Sequence, residues 1–238
     1  MTVGTLAAAD ELEVDFRVRG FVVPTGFAIP PDLLTRVRIA TEERIGRVCD
    51  RGGPAEVRRL RRSVPAVAEI AALCAPLACR LTNADVRCTF DEVLVGRPGG
   101  RTGTDWHQDE AFTVVGRMGF VRPDISLTVW IPLQPVSAHN GALCYLPGSH
   151  LGGLNRHTRG AGGRLSLVEV SDAVMTTVAL ETGQCVVHDG LVAHRAHANL
   201  TDEPRWAVGV QFRPARRYRR PASDPRSRSR RAWVTNNA

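Results

Sequence analysis

Apolar positions change their period along the chain, and that change divides it. From Glu11 to Arg19 apolar and polar residues alternate strictly, with Leu12, Val14, Phe16 and Val18 on one side, which predicts a strand. Gly20 interrupts the pattern before Phe21-Val22-Val23. Beyond Pro30-Pro31-Asp32, the residues Leu34, Val37, Thr41, Ile45 and Val48 recur at helical spacing. A helix is therefore predicted from the prolines to Arg51-Gly52-Gly53-Pro54. A second is predicted from Ser63 as N-cap through Val67, Ile70, Ala71 and Cys74, with Pro76 marking a kink or stop.

From Asp85 the texture becomes β. Strands are predicted at Val86 to Val95, Ile125 to Leu133, Ala142 to Leu146, Leu165 to Val170, Met175 to Leu180, Gln184 to His188 and Trp206 to Phe212. Glycine and proline separate them, and Asn140-Gly141 is a tight-turn signal. Helices first and many short strands after predict a mainly β protein, with N-terminal helices packed on one sheet of a two-sheet jelly roll. We read residues 1–214 as a single domain, with 1–84 as helical support and 85–214 as the jelly-roll core. Residues 215–238 form an Arg-rich tail.

Composition adds little to this frame. The length of 238 residues and apolar share of 43% suit one domain with a real core. All 31 basic residues are Arg and none is Lys, which reads as coding bias, so the net charge of +7 carries little weight. The charge is uneven, because Arg213, Arg216, Arg217, Arg219, Arg220, Arg226, Arg228, Arg230 and Arg231 crowd the end. With Tyr218 and Trp233 among them, the tail opens an alternative: a nucleic-acid-binding protein or a nucleic-acid oxygenase. A solvated tail is the plainer reading, so nucleic acid is not expected as a partner. Residues 1–13 lack the pattern of a secretory signal, and no apolar run approaches the roughly 18 residues of a membrane span. The six cysteines form no CxxC pair and read as reduced core residues. These features together predict a cytoplasmic protein without membrane contact.

The chemistry centres on Thr104-Asp105-Trp106-His107-Gln108-Asp109-Glu110. A histidine and a carboxylate two apart on an extended strand point the same way. With one more histidine from a distant strand they make the two-His-one-carboxylate face that holds non-haem Fe(II) and leaves other positions open. An HxD pair alone is common by chance. Gln184 to His194 offers His188 and His194, with His197 just beyond, as sources of the third ligand. Arg205 follows at the start of the next strand, where a guanidinium fork matches a carboxylate in two parallel hydrogen bonds.

Trp106-His107-Gln108-Asp109, Trp130-Ile131-Pro132-Leu133, Asn140-Gly141-Ala142-Leu143 leading to Pro147-Gly148-Ser149-His150, and His194 with Asn199 and Arg205 carry a resemblance. In this order they resemble the phytanoyl-CoA dioxygenase family of Fe(II)- and 2-oxoglutarate-dependent oxygenases, from about Gly20 to Pro214. The resemblance implies a double-stranded β-helix (a cupin-like jelly roll), Fe(II) ligands at His107, Asp109 and His194, and a salt bridge from Arg205 to the far carboxylate of 2-oxoglutarate, with O2 as oxidant. Trp130 and Asn140 match positions around the cosubstrate. Three departures stand out. Arg97 replaces the family's lysine before the Pro-Gly turn, Ala196 replaces a hydroxyl residue that often binds the oxoglutarate carboxylate, and the chain is shorter than many relatives. Thr128 or Ser126 are the candidate substitutes for that hydroxyl. Asp109 itself argues against the related halogenases, where a small residue stands there.

The implied activity is oxidation of a C–H bond of a small polar molecule, by hydroxylation or oxidative ring closure, in a bacterial antibiotic- or sugar-tailoring step. Arg117, Phe120 and Arg122 are placed at the pocket mouth. A catalytically silent jelly-roll binding protein is the remaining alternative.

Overall fold

The computed structural model describes residues 3–49, 55–100, 103–115, 126–159, 165–170, 174–215 and 234–236. Two helices flank a short first strand: α1 (Val3–Arg19), β1 (Phe21–Val22) and α2 (Pro31–Cys49). Then come β2 (Ala55–Arg58), α3 (Pro65–Thr82) and the long β3 (Val86–Gly96). Among the described residues that follow are α4 (Asp109–Val115), a 3-10 turn at Ser149–Gly152 and the strands β4 (Leu127–Pro132), β5 (Leu143–Tyr145), β6 (His157–Arg159), β7 (Leu165–Leu167), β8 (Thr176–Val178), β9 (Val186–Asp189), β10 (His194–Ala196), β11 (Arg205–Pro214) and β12 (Val234–Asn236).

The strand predicted at Glu11–Arg19 is a helix. Of its alternating apolar residues only Phe16 is buried, while Val14 and Val18 stand in solvent. The preceding Leu-Ala-Ala-Ala run favours helix, and helix elongates more easily than a new strand finds a partner. Gly20 ends α1 at φ 82°. A side chain there would strike the buried His150 ring, whose Nε2 bonds the Arg17 carbonyl.

α2 begins at the predicted prolines. α3 takes Val64 rather than Ser63 as its N-cap residue, and no side chain caps it. Pro65 at its first position has no N–H to satisfy, which lowers the need for one. Pro76 does not stop this helix, which runs on to Thr82 and closes on Asn83 in the left-handed conformation. At 18 residues and mean hydropathy 1.3, α3 is long and apolar enough to cross a membrane, contrary to the sequence expectation. Glu69 and Arg80 break up the apolar run in the sequence without lowering its mean enough. In the fold its Val67, Ile70, Cys74 and Ala78 face the protein core.

Six antiparallel strands form the larger sheet, in the order β1-β9-β4-β11-β3-β2. A smaller sheet, β10-β5-β8, makes the second wall of the jelly roll, and β12-β6-β7 form a separate three-stranded sheet. Period-two alternation gives the larger sheet two faces. Its outer face, with Val93, Val129, Ile131, Val187, Val208 and Phe212, packs against the helices. Its inner face joins Trp130, Val186 and Ala207 to Leu143, Tyr145 and Ala196 of the smaller sheet, with Phe21 added from β1. One strand, β11, thus contributes to both cores, Val208, Val210 and Phe212 to the outer and Ala207 to the inner.

The described cysteines Cys74, Cys79, Cys88, Cys144 and Cys185 are free thiols. Burial raises the pKa of Cys185 to about 12, the state of an inert core residue.

Candidate metal centre

The ligand stretch is not an extended strand. His107 forms a lone antiparallel bridge with His194, and Asp109 opens α4. Two backbone hydrogen bonds make that bridge: His107 N–H to the His194 carbonyl at 3.0 Å, and His194 N–H to the His107 carbonyl at 2.9 Å. The turn into α4 then swings Asp109 back over both rings.

His107, Asp109 and His194 bring one ligand atom each within 4.8 Å of one another. The Asp109 Oδ1 atom lies 3.8 Å from His107 Nε2 and 3.5 Å from His194 Nε2. Each ring is oriented from behind. His107 Nδ1 donates to the Asp105 carbonyl at 2.8 Å and His194 Nδ1 to the Val192 carbonyl at 3.0 Å. A carbonyl only accepts, so the proton sits on Nδ1 and the Nε2 lone pair of each ring faces the carboxylate. Burial, reinforced by His107 and His188, holds His194 well below its usual pKa and keeps it neutral. Burial opposes the charge of Asp109, but the imidazoles of His194, His188 and His107 outweigh it and hold the carboxyl far below the usual range. An ionised carboxylate with two imidazole nitrogens turned toward it is a donor set that fits a divalent transition metal.

The other Asp109 oxygen is held by two groups. Thr128 Oγ1 donates to Oδ2 at 2.7 Å and His188 Nε2 at 3.2 Å. His188 in turn accepts the Tyr145 hydroxyl on Nδ1 at 2.9 Å. Gln108, between the ligands, is a buried bolt. Its amide donates to the Gly153 and Leu191 carbonyls and accepts Asn155 N–H, while its own N–H meets His157 Nε2. Next to Asp109, the buried Glu110 accepts Ser126 Oγ at 2.7 Å and Arg213 at 2.6 Å. That pair fastens α4 to the far end of β11. Arg213 thus leaves the basic tail and turns inward; the other arginines of the tail lie outside the described residues, as do Arg117, Phe120 and Arg122.

At the opposite end of β11 stands Arg205, only 7% exposed. Its guanidinium lies over Trp130 at 5.4 Å, and its buried Nε has no hydrogen-bond partner. Burial lowers its pKa to about 10. Glycines frame it: a Cβ on Gly141 would sit 3.0 Å from Nε, and one on Gly96 3.2 Å from a terminal nitrogen. A buried cation kept clear of side chains and given no carboxylate by the described residues fits an anionic ligand.

The structure therefore brings together His107, Asp109 and His194, with Thr128 bound to Asp109, and separately Arg205 with Trp130. The Thr128 hydroxyl reaches the metal-ligand carboxylate. The Asn140 side chain closes its own turn, accepting Ser137 N–H at 2.6 Å and donating to the Pro135 carbonyl at 2.9 Å. That turn presents Gly141, at φ 93°, to Arg205. Arg97 follows Gly96, the register partner of Arg205. Ala196 lies in the inner core. Sequence reasoning offered His188 as a possible third ligand, whereas the structure sets it behind Asp109; it gave Tyr145 and Glu110 no role. It also missed Phe112, whose ring stands edge-on to His107 at 5.7 Å. Glu92, on the inner face of β3, was missed as well. Burial, then the charges of Glu56 and Asp109, push its carboxyl up to about 8.

The family model "Phytanoyl-CoA dioxygenase (PhyH)" matches residues 36–207. The phytanoyl-CoA dioxygenase domain-containing protein 1 of Danio rerio is 30% identical over 107 residues, 42% of this chain and 35% of its own. The chain thus spans about a third of the length of the curated relatives it matches. Among solved structures, EvdO2 from Micromonospora carbonacea var. aurantiaca superposes with a TM-score of 0.75 at 23% identity, over 94% of this chain and 96% of that one. It has also been solved with 2-oxoglutarate. The epimerase SnoN, in complex with Fe3+, α-ketoglutarate and a nogalamycin compound, superposes at 0.70 with 21% identity, over 92% and 88% of the two chains.

Proposed function

The chain belongs to the phytanoyl-CoA dioxygenase family, and from that premise we propose that it is a non-haem oxygenase using Fe(II), 2-oxoglutarate and O2 on a small polar molecule. The observation that carries the reading is a pairing of two sites. His107, Asp109 and His194 converge as a three-ligand face from β10 and the start of α4, and Arg205 stands buried on β11 of the facing sheet with its Nε unpaired among the described residues.

His107 Nε2, His194 Nε2 and an Asp109 oxygen would hold the metal. Arg205 would grip the distal carboxylate of 2-oxoglutarate, with Trp130 as the wall beneath it and Gly96 and Gly141 leaving the room. When bound, the metal with oxo acid and O2 supplies the oxidising power to break a C–H bond, releasing succinate and carbon dioxide. Thr128 and His188 keep Asp109 in one rotamer through that exchange, and the apolar inner core excludes water from the reacting end.

The finer reading is a tailoring oxidation, hydroxylation or ring closure, in cytoplasmic secondary metabolism. It draws support from the likeness to the epimerase SnoN and the carbocyclase SnoK, both from nogalamycin biosynthesis. The test is anaerobic titration with Fe(II) and 2-oxoglutarate, then succinate release in air. Wild type is expected to bind both and to turn over. Full turnover by His107→Ala or Asp109→Ala under limiting iron removes the reading.

A further inference from the structure

We infer that Glu92 is a substrate-recognition residue that hydrogen-bonds a hydroxyl of the substrate beside the metal centre, with Phe112 as the apolar wall. This rests on the oxygenase reading and deepens it.

Register places Glu92 on the inner face. Arg58 of β2, Glu92 of β3, Gly209 of β11 and Trp130 of β4 stand in one row across the sheet. Trp130 belongs to the inner core, and Leu94, two residues from Glu92, packs on it. Gly209 leaves a gap in this row. A Cβ there would lie 3.6 Å from Glu92 Oε1 and 4.0 Å from the Thr128 methyl, whose hydroxyl holds Asp109. The Glu92 carboxylate therefore borders the space beside the ligand carboxylate.

Among the described residues none uses that carboxylate fully. Its cation, Arg58, stands 3.8 Å from Oε2 and is pulled away by Glu56 at 2.6 Å. The Glu92 side chain is only 21% exposed. Two acids near a third, Asp109, with one arginine between them, destabilise a fold; leucine at this inward position would pack instead. A carboxyl hydrogen-bonds a hydroxyl whether or not it is protonated, so the arrangement suits a hydroxylated substrate. On the α4 side Phe112, 43% exposed, stands edge-on to ligand His107 and offers a ring to an apolar C–H face. A saturated ring bearing hydroxyls satisfies both surfaces.

The probes are a panel of methyl pyranosides and 2-methoxytetrahydropyran, which has the ring without hydroxyls. The readouts are probe-stimulated succinate release, Co(II) and 2-oxoglutarate binding by anaerobic titration, and the melting temperature of the metal-free protein. Wild type is expected to be stimulated by pyranosides and not by the bare ring. Glu92→Leu is expected to bind Co(II), to melt no lower than wild type, and to lose about tenfold or more in kcat/KM for the pyranoside; Glu92→Gln retains part of it. A wild type that no pyranoside stimulates, or a stimulation that survives Glu92→Leu, overturns the inference. So does a lower melting temperature in Glu92→Leu, which would make the residue structural. A wild type that binds neither Co(II) nor 2-oxoglutarate instead fells the oxygenase reading, and the subsite with it.

Discussion

His188 meets Asp109 at 3.2 Å, Nε2 to Oδ2, on the carboxylate oxygen that the two ligand histidines do not face. The carboxylate accepts, so this nitrogen carries the proton and Nδ1 takes the Tyr145 hydroxyl. On the proposed function, His188 therefore orients a metal ligand without being one. His188→Ala is expected to weaken Fe(II) or Co(II) binding by about 10- to 100-fold, while His194→Ala abolishes it. Calorimetric metal titration of the two variants checks the ranking; equal losses would place His188 among the ligands.

On the proposed function, Arg205 is a cation buried for a ligand rather than for the fold. Arg205→Met is expected to leave the ligand-free protein as stable as wild type or more so, because it removes an uncompensated charge. Wild type is expected to gain roughly 2.7 kcal/mol when 2-oxoglutarate, with Co(II), reaches about 100 times its Kd. The variant is expected to gain almost none of that. Urea unfolding with and without the oxo acid reads both halves, and an undiminished gain would mean that another group anchors the cosubstrate.

The Glu110–Arg213 pair is a different case, since both partners are buried and each answers the other at 2.6 Å. Burial raises the Glu110 carboxyl even against the pull of Arg213. Arg213→Met leaves a buried acid behind and is expected to cost about 3 to 5 kcal/mol. Adding Glu110→Leu is expected to recover most of it. A double-mutant cycle by chemical denaturation measures the coupling.

His157 sets a pH dependence. It is fully buried, donates from Nδ1 to the Asn155 carbonyl and accepts Gln108 N–H on Nε2. Burial lowers its pKa from 6.5 to about 4. Between those values the unfolded chain holds a proton that the native protein refuses. Its contribution is thus intact above pH 6.5 and is lost as the pH falls to about 4, by up to roughly 3 kcal/mol. Comparing unfolding midpoints at pH 7 and pH 5 in wild type and His157→Gln tests this, the variant showing a smaller decline.

The residues that the structure brings together, and to which the proposal gives the chemistry, were legible because each carries its own signal. Histidine, aspartate and arginine at Trp106-His107-Gln108-Asp109, His194 and Arg205 sit at turns and strand starts that the sequence marks. Their geometry was less so. The HxD pair reads as extended by spacing, yet a bridge followed by a helix start delivers the same convergence, because the turn at Gln108 replaces the strand's alternation. Glu92 and Phe112 were hidden for another reason. One is a charge in an ordinary β alternation and the other an aromatic on a short helix, and only the pairing of β3 with β11 turns the first toward the ligands. At Glu11–Arg19, alternation alone misled, because the Leu-Ala-Ala-Ala run before it carries helix through the segment.

The mutual backbone hydrogen bonds of His107 and His194 tie two distant segments before any ion arrives. On the proposed function, iron lost to chelation or over-oxidation would leave an intact socket behind, and ferrous iron alone would restore it with no refolding step. The metal would then be a replaceable part, serviced in place.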